Sequence, residues 1–175
     1  MIKTIVVGVD GSTESEKALT LAAEIATKHA AELVIVHALL TNTGVDELRA
    51  IAERLGFLGD IGPQLEKAVM PPLVVAETGA IAPTPLIVVS GETLRRFGEL
   101  VLNACERIAS SAGARASTRL VNADPLTALL DAVQMNKADL LAVGNRGLGR
   151  IEGLLVGSVA QRVVQESACP CLLVK

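Results

Sequence analysis

The residues whose types could do chemistry are an aspartate near the start of the chain and a glycine-rich stretch far along it. Asp10 stands just past an apolar run, Thr4 to Val9, and is followed by Gly11 and Ser12. The stretch reads Gly144-Asn145-Arg146-Gly147, then nine residues, then Gly157-Ser158. Gly144 and Gly147 allow a backbone to approach a ligand with no Cβ in the way. Gly157-Ser158 stands where a helix begins, and a helix start offers unpaired N–H groups and the positive end of its dipole to an anion. Ser158 adds a hydroxyl for a phosphate oxygen, and Arg146 and Arg150 bring charge that offsets a polyphosphate. An ionised Asp10 only accepts hydrogen bonds, so it suits ribose hydroxyls or a metal-bound water better than a bare phosphate. Taken singly, these glycines would serve as turns, Asp10 as a strand end, and Arg150 and Glu152 as solvated loop charges. Their joint position at strand ends is what points to a site.

Other chemistries fit worse. No G-x-x-x-x-G-K-[ST] run is present, so there is no P-loop lysine. Gly147 to Gly153 resembles a dinucleotide fingerprint, but one strand alone follows it before Lys175, whereas such a half-site opens a domain and needs further βα units. Gly149, Gly153 and Gly157 mimic a membrane dimer motif, which Arg150 and Glu152 exclude. No serine elbow, HExxH or paired-carboxylate pattern appears, His29 and His37 suit surface or packing roles, and no base is placed for in-line attack by water. The three cysteines are Cys105, Cys169 and Cys171. Cys169-Pro170-Cys171 is neither a C-x-x-C pair nor half of a common zinc spacing, so buried, reduced thiols in the cytoplasm are expected.

The elements that must position Asp10 and the glycines read as alternating strands and helices. Thr4–Val9 is a buried strand, and Thr13 with Glu16 forms a capping-box pattern opening a helix to about His29. Ala18, Leu21, Ala22, Ile25 and Ala26 make its buried side. Glu32–Leu40 is the second strand, reached by a right-handed crossover. Toward the end, Arg115–Val121 is a strand, Asp124-Pro125 starts a helix with Leu126, Leu129, Leu130 and Val133 inward, and Asp139–Val143 is a strand. A glycine-rich loop over Gly144–Val156 leads to a helix over Gly157–Ser167, with Val159, Val163 and Val164 inward, and Cys171–Val174 is the last strand. In an open parallel sheet ligands bind beyond the carboxyl ends of the strands, where strand order reverses. If the first strand is central and the Val143 strand lies beside it, Asp10 and the glycine loop meet there.

Between them, Val45–Leu55 reads as a helix and Gly56–Gly62 as a turn-rich break. Pro71–Val89 is apolar but interrupted by Pro71, Pro72, Pro83 and Pro85 and carries Glu77, so it is extended or a packed loop. Those breaks would leave backbone groups unpaired in lipid, and no membrane span is expected. Glu92–Ser111 is an amphipathic helix capped by Ser90, with Leu94, Phe97, Val101, Ala104 and Ile108 inward. The 175 residues are 50% hydrophobic, which suits one domain over 1–175. Phe57 and Phe97 are the sole aromatic residues, so Leu, Val, Ile and Ala must build the core. The net charge of −3, with no basic block, argues against a nucleic-acid binder.

Ile5-Val-Val-Gly-Val-Asp-Gly-Ser12, Asp139 to Gly147, Gly157-Ser-Val-Ala-Gln-Arg-Val-Val164 and the ending Cys169-Pro-Cys-Leu-Leu-Val174 resemble the universal stress protein family, and the loop spacing resembles its ATP-binding branch. The likeness covers roughly residues 1–40 and 90–175. It implies an open five-stranded parallel sheet of order 3-2-1-4-5 with helices on both faces, the adenine nucleotide alpha hydrolase-like arrangement. By that likeness Asp10 contacts ribose, with Gly8 and Ser12 beside it, and Val9 and Ala38 frame adenine. Gly144, Arg146, Gly147, Gly157, Ser158 and Val159 line the phosphate path. ATP is the implied ligand, with AMP or another adenine nucleotide left open. Mg2+ or Mn2+ is its companion, reached by Asp10 through water. The likeness further implies a homodimer through Cys171–Val174 and a nucleotide-dependent sensor or regulator in stress response. A slow Mg-dependent ATPase and an interaction protein with no nucleotide are the rival readings. The connection at about 41–90 departs from the family in being longer and proline-rich, and Asn145 replaces a serine often found there.

Overall fold

Short β-branched runs that stay apolar over consecutive residues suit strands covered on both faces. In the computed structural model, which describes residues 1–68, 89–148 and 156–175, they form one sheet. The elements run β1 (Thr4–Gly8), α1 (Thr13–His29), β2 (Glu32–Ala38), α2 (Val45–Arg54), α3 (Leu58–Lys67), α4 (Gly91–Ser111), β3 (Arg115–Val121), α5 (Pro125–Asn136), β4 (Leu140–Gly144), α6 (Ser158–Glu166) and β5 (Cys171–Val174). All five strands are parallel in the order β3-β2-β1-β4-β5, as expected from the sequence. Val7 lies opposite Ile35 on one side and Ala142 on the other, so β1 is the central strand and its end is the place where the order reverses.

The chain groups into two compact units, Met1–Leu40 with Gly98–Lys175, and Thr41–Phe97. In the first, β1, β2 and β4 are buried along almost their whole length. Val6, Val34, Val36, Leu141 and Val143 pack against Leu126, Leu129 and Val133 of α5 and Ala160 and Val163 of α6. Side chains alternate across a strand, so Val7 and Ala142 face the other side, where α1 packs. In the second unit α2 buries Val45, Leu48, Ile51 and Ala52 and α3 buries Ile61, Gly62 and Leu65. The Phe57 and Phe97 rings meet edge to face at 5.4 Å.

Several expectations need correction. The cap of α1 is Ser12, whose Oγ accepts from the Ser15 amide, rather than Thr13 in a box with Glu16. α1 presents Ser15, Ala18, Leu19, Ala22, Ala23 and Ala26 inward, leaving Leu21 36% exposed and Ile25 half-buried. On α6, Val164 is 52% exposed because Ala160 and Val163 take the buried face. The break at 56–62 narrows to Gly56, which has φ +79° and closes α2 with Gly56 and Phe57 amides returned to the Glu53 and Ala52 carbonyls. α3 then begins at Leu58 with Pro63 inside it, since burying Ile61 and Leu65 outweighs the poor helix propensity of glycine and proline. β2 ends at Ala38, although the Leu39 amide still donates to the Val121 carbonyl. Cys105 is buried, Cys169 and Cys171 are half-buried rather than buried, and none of the three is in a disulfide. The readings placed on Pro71–Val88 and on Gly149, Arg150, Glu152 and Gly153 lie outside the described residues. Among the described residues no helix is long and apolar enough to cross a membrane.

Candidate functional site

The site grows from the exit of β1. The Val9 amide continues the ladder by donating to the Val36 carbonyl (2.9 Å). The Val9 carbonyl accepts from Nδ1 of His37 (2.7 Å). A carbonyl cannot donate, so Nδ1 carries the proton and Nε2 is left as an acceptor. His37 is 1% exposed, and its Nε2 is buried without a hydrogen-bond partner. Burial pushes the imidazole below the usual histidine range, against the weaker pull of the Val9 carbonyl and the Asp10 charge. Val9 and Ala38 are both buried at this end of the sheet.

Asp10 follows, and Gly11 turns the chain at φ +84°. The Ser12 amide donates to Asp10 Oδ1 (2.9 Å), a side-chain-closed turn that leads straight into α1. The Asp10 amide reaches Ser15 Oγ (3.4 Å). The other carboxylate oxygen, Oδ2, accepts from the Leu148 amide (3.1 Å). The acid after the first strand and the glycine stretch after the fourth therefore lie on one rim and touch.

Within the stretch, the Asn145 amide donates to the Val174 carbonyl (2.7 Å), and the Asn145 carbonyl accepts from the Gly157 amide (2.8 Å). That second bond closes the nine-residue gap. A Cβ built on Gly157 would lie 3.5 Å from the Arg146 Cα and 3.7 Å from the Gly147 nitrogen, so the turn and the start of α6 are in contact. Gly157 is the N-cap of α6 and, among the described residues, no side chain caps that helix, whereas Ser12 and Asp124 cap α1 and α5. Ser158 is exposed, and Arg146 and Val159 are half-buried.

The glycines have uses the sequence did not disclose. A Cβ on Gly8 would meet Leu129 Cδ2 at 2.8 Å, so α5 packs directly on that bare backbone. A Cβ on Gly144 would meet the Glu14 carbonyl carbon at 2.8 Å and the Ser15 amide nitrogen at 2.9 Å, because the first turn of α1 rests there. Gly147 carries the Asp10 carboxylate. Gly157 alone among the four has ordinary space around it. The sequence reading also overlooked Leu148, Ser15 and the bond of His37 to Val9. The Ser12-x-x-Ser15 spacing was a usable signal for the second, and nothing local in the sequence announces the others.

A shallow cavity of about 540 Å³ lined by Leu130, Val133, Lys137, Glu166 and Cys169 opens at the amino ends of β4 and β5. None of the residues singled out for the site lines it. Among the described residues, no group of three or more His, Cys, Asp or Glu could hold a metal ion.

The profile of the universal stress protein family matches residues 1–54 and 65–175. A universal stress protein of Thermus aquaticus is 30% identical over 175 residues, with both chains covered in full. A solved universal stress protein in complex with cAMP is 28% identical, covers 99% of this chain and 97% of its own, and superposes with a TM-score of 0.60. The structure of a universal stress protein from Archaeoglobus fulgidus, 20% identical with both chains covered in full, shares the fold at a TM-score of 0.64.

Proposed function

The chain belongs to the universal stress protein family, and we propose that it binds an adenine nucleotide, ATP in the first place, across the carboxyl ends of β1 and β4. The observation that carries this reading is the meeting of the Asp10 carboxylate with the Gly147–Leu148 turn, beside a helix start that no described side chain caps. The amides that open α6, with Ser158 and Arg146 next to them, suit a polyphosphate. Asp10 keeps a lone pair on each oxygen for a hydroxyl donor. Gly8, Val9, Ser12 and Ala38 complete the sugar and base side, and Gly144, Gly147 and Val159 the phosphate side. The relative solved with cAMP puts adenine nucleotides first among ligands to test.

Mg2+ or Mn2+ would enter with the triphosphate and neutralise part of its charge. Asp10 is a lone carboxylate whose oxygens already accept from two amides, so it suits a water-bridged role and the phosphates would hold the ion. In this reading the protein is a cytoplasmic, nucleotide-dependent sensor or regulator of a stress response. Residues 1–175 are taken as one domain of the family, with an atypically long connection at about 41–90. A homodimer forms through β5, since that strand is apolar, half-buried and, among the described residues, pairs on one edge alone.

Equilibrium dialysis of the purified chain against ATP with Mg2+ tests the assignment. We expect saturable binding that Gly157→Val abolishes, because the added side chain crowds the helix start. No binding at millimolar nucleotide would overturn it. Sedimentation of wild type and Leu172→Lys tests the dimer, with the variant expected to be monomeric.

A further inference from the structure

Gly147 stands where the backbone does not require glycine, since it is absent from the positive-φ glycines Gly11, Gly56 and Gly113. Among the described residues, a Cβ built on it would find a single neighbouring group within 4 Å. That group is the Asp10 carboxylate, whose Oδ2 would overlap the added carbon and whose Cγ would lie at 3.6 Å. The carboxylate cannot drift freely, because each oxygen is engaged: Oδ1 by the Ser12 amide at 2.9 Å and Oδ2 by the Leu148 amide at 3.1 Å. Asp10 thus spans the entry to α1 and a turn 138 residues away in sequence.

We propose that Asp10 is a positioning residue for the glycine turn, the resident anion that fixes the Leu148 amide before any ligand arrives, and that residue 147 is glycine because this bridge needs a bare Cα. The inference deepens the nucleotide-binding reading by naming what sets the turn in the free protein, and its test needs no nucleotide. Asp10 then has two uses: it holds the turn, and it offers its remaining lone pairs outward. Any side chain at 147 must push the carboxylate aside and release the Leu148 amide.

The test is amide hydrogen exchange at Leu148 in the nucleotide-free protein, over a double-mutant cycle of Asp10→Ala, Gly147→Ala and the pair. A hydrogen bond to a charged acceptor protects an amide by about ten- to a hundredfold. We expect each single variant to speed Leu148 exchange by that order. The second substitution should add less than about twofold once the first is present. Asp10→Asn, the same shape with one acceptor oxygen for two amides, should lie between wild type and Asp10→Ala. Far-UV circular dichroism confirms that each variant is folded. Unchanged Leu148 exchange in Asp10→Ala overturns the proposal, as does Gly147→Ala acting with full force in the Asp10→Ala background. Dialysis against ATP is read separately: intact coupling with no ATP binding would sink the nucleotide reading and leave this one standing.

Discussion

Replacing Gly144 by alanine puts a methyl carbon 2.8 Å from the Glu14 carbonyl carbon, 2.9 Å from the Glu14 Cβ and 2.9 Å from the Ser15 nitrogen. Comfortable separation for such atoms is about 3.5–4.0 Å. Two of the three neighbours are backbone, so no rotamer change relieves the overlap. The first turn of α1 must retreat from β4, taking with it the Ser12 cap and the hydrogen bonds around Asp10. Overpacking of this kind costs about 1–3 kcal/mol. For a chain of this size that is a fall in Tm of about 2–12 °C. The chain has no tryptophan or tyrosine, so thermal unfolding is followed by far-UV circular dichroism. Gly157→Ala is the control. Its Cβ has neighbours no closer than 3.5 Å and its φ is −70°, a conformation alanine accepts. Its Tm should move by less than about 2 °C, since restricting the unfolded chain, worth about 0.4–1 kcal/mol, offsets alanine's poorer fit at an N-cap. The reasoning fails if Gly144→Ala melts with the wild type, or if Gly157→Ala falls as far.

Ser12→Ala removes the oxygen that receives the Ser15 amide at 3.2 Å; it should cost about 1 kcal/mol and lower Tm by about 2–4 °C, while Ser12→Asp retains the cap. His37 is held neutral by burial, whereas in the unfolded chain it takes up a proton below about pH 6.5. The unfolded state then binds more protons, so stability is lost as pH falls from about 6.5 toward the lowered folded value. Urea midpoints of His37→Asn, which keeps a donor toward Val9, should therefore depend less on pH across that window than those of the wild type, and parallel profiles would count against it. Asp139 Oδ2 accepts from the Lys3 (2.6 Å) and Thr4 (3.1 Å) amides, and these bonds hold its carboxyl below the usual carboxylate range. Its contribution is present above about pH 3.9 and lost as pH falls through the lowered folded value, so Asp139→Asn should lower Tm at neutral pH by an amount that shrinks in acid.

The strands were legible because burial on both faces leaves no polar position to blur them: Ile5, Val6 and Val7 are consecutive and all fully buried. Asp124-Pro125 announced α5 because a capping oxygen and a fixed φ act within one turn, and the Thr127 amide does donate to Asp124 Oδ1. α3 was not legible, since Gly59, Gly62 and Pro63 argue locally against a helix that packing against α2 supports. The rim was legible as a set of residues. Its internal logic was not, because the atoms that require Gly8, Gly144 and Gly147 come from Leu129, Glu14 and Asp10, distant in sequence. The same holds for the bond of His37 to Val9, which depends on strand pairing rather than on any motif.

One residue, Asn145, splices β5 to α6: its amide takes hold of Val174 and its carbonyl of Gly157. Val174 is thereby a tie rod for the rim. Pulling β5 away from β4 would remove an acceptor whose loss is felt where α6 begins, so the seating of that edge strand and the shape of the rim are mechanically a single property.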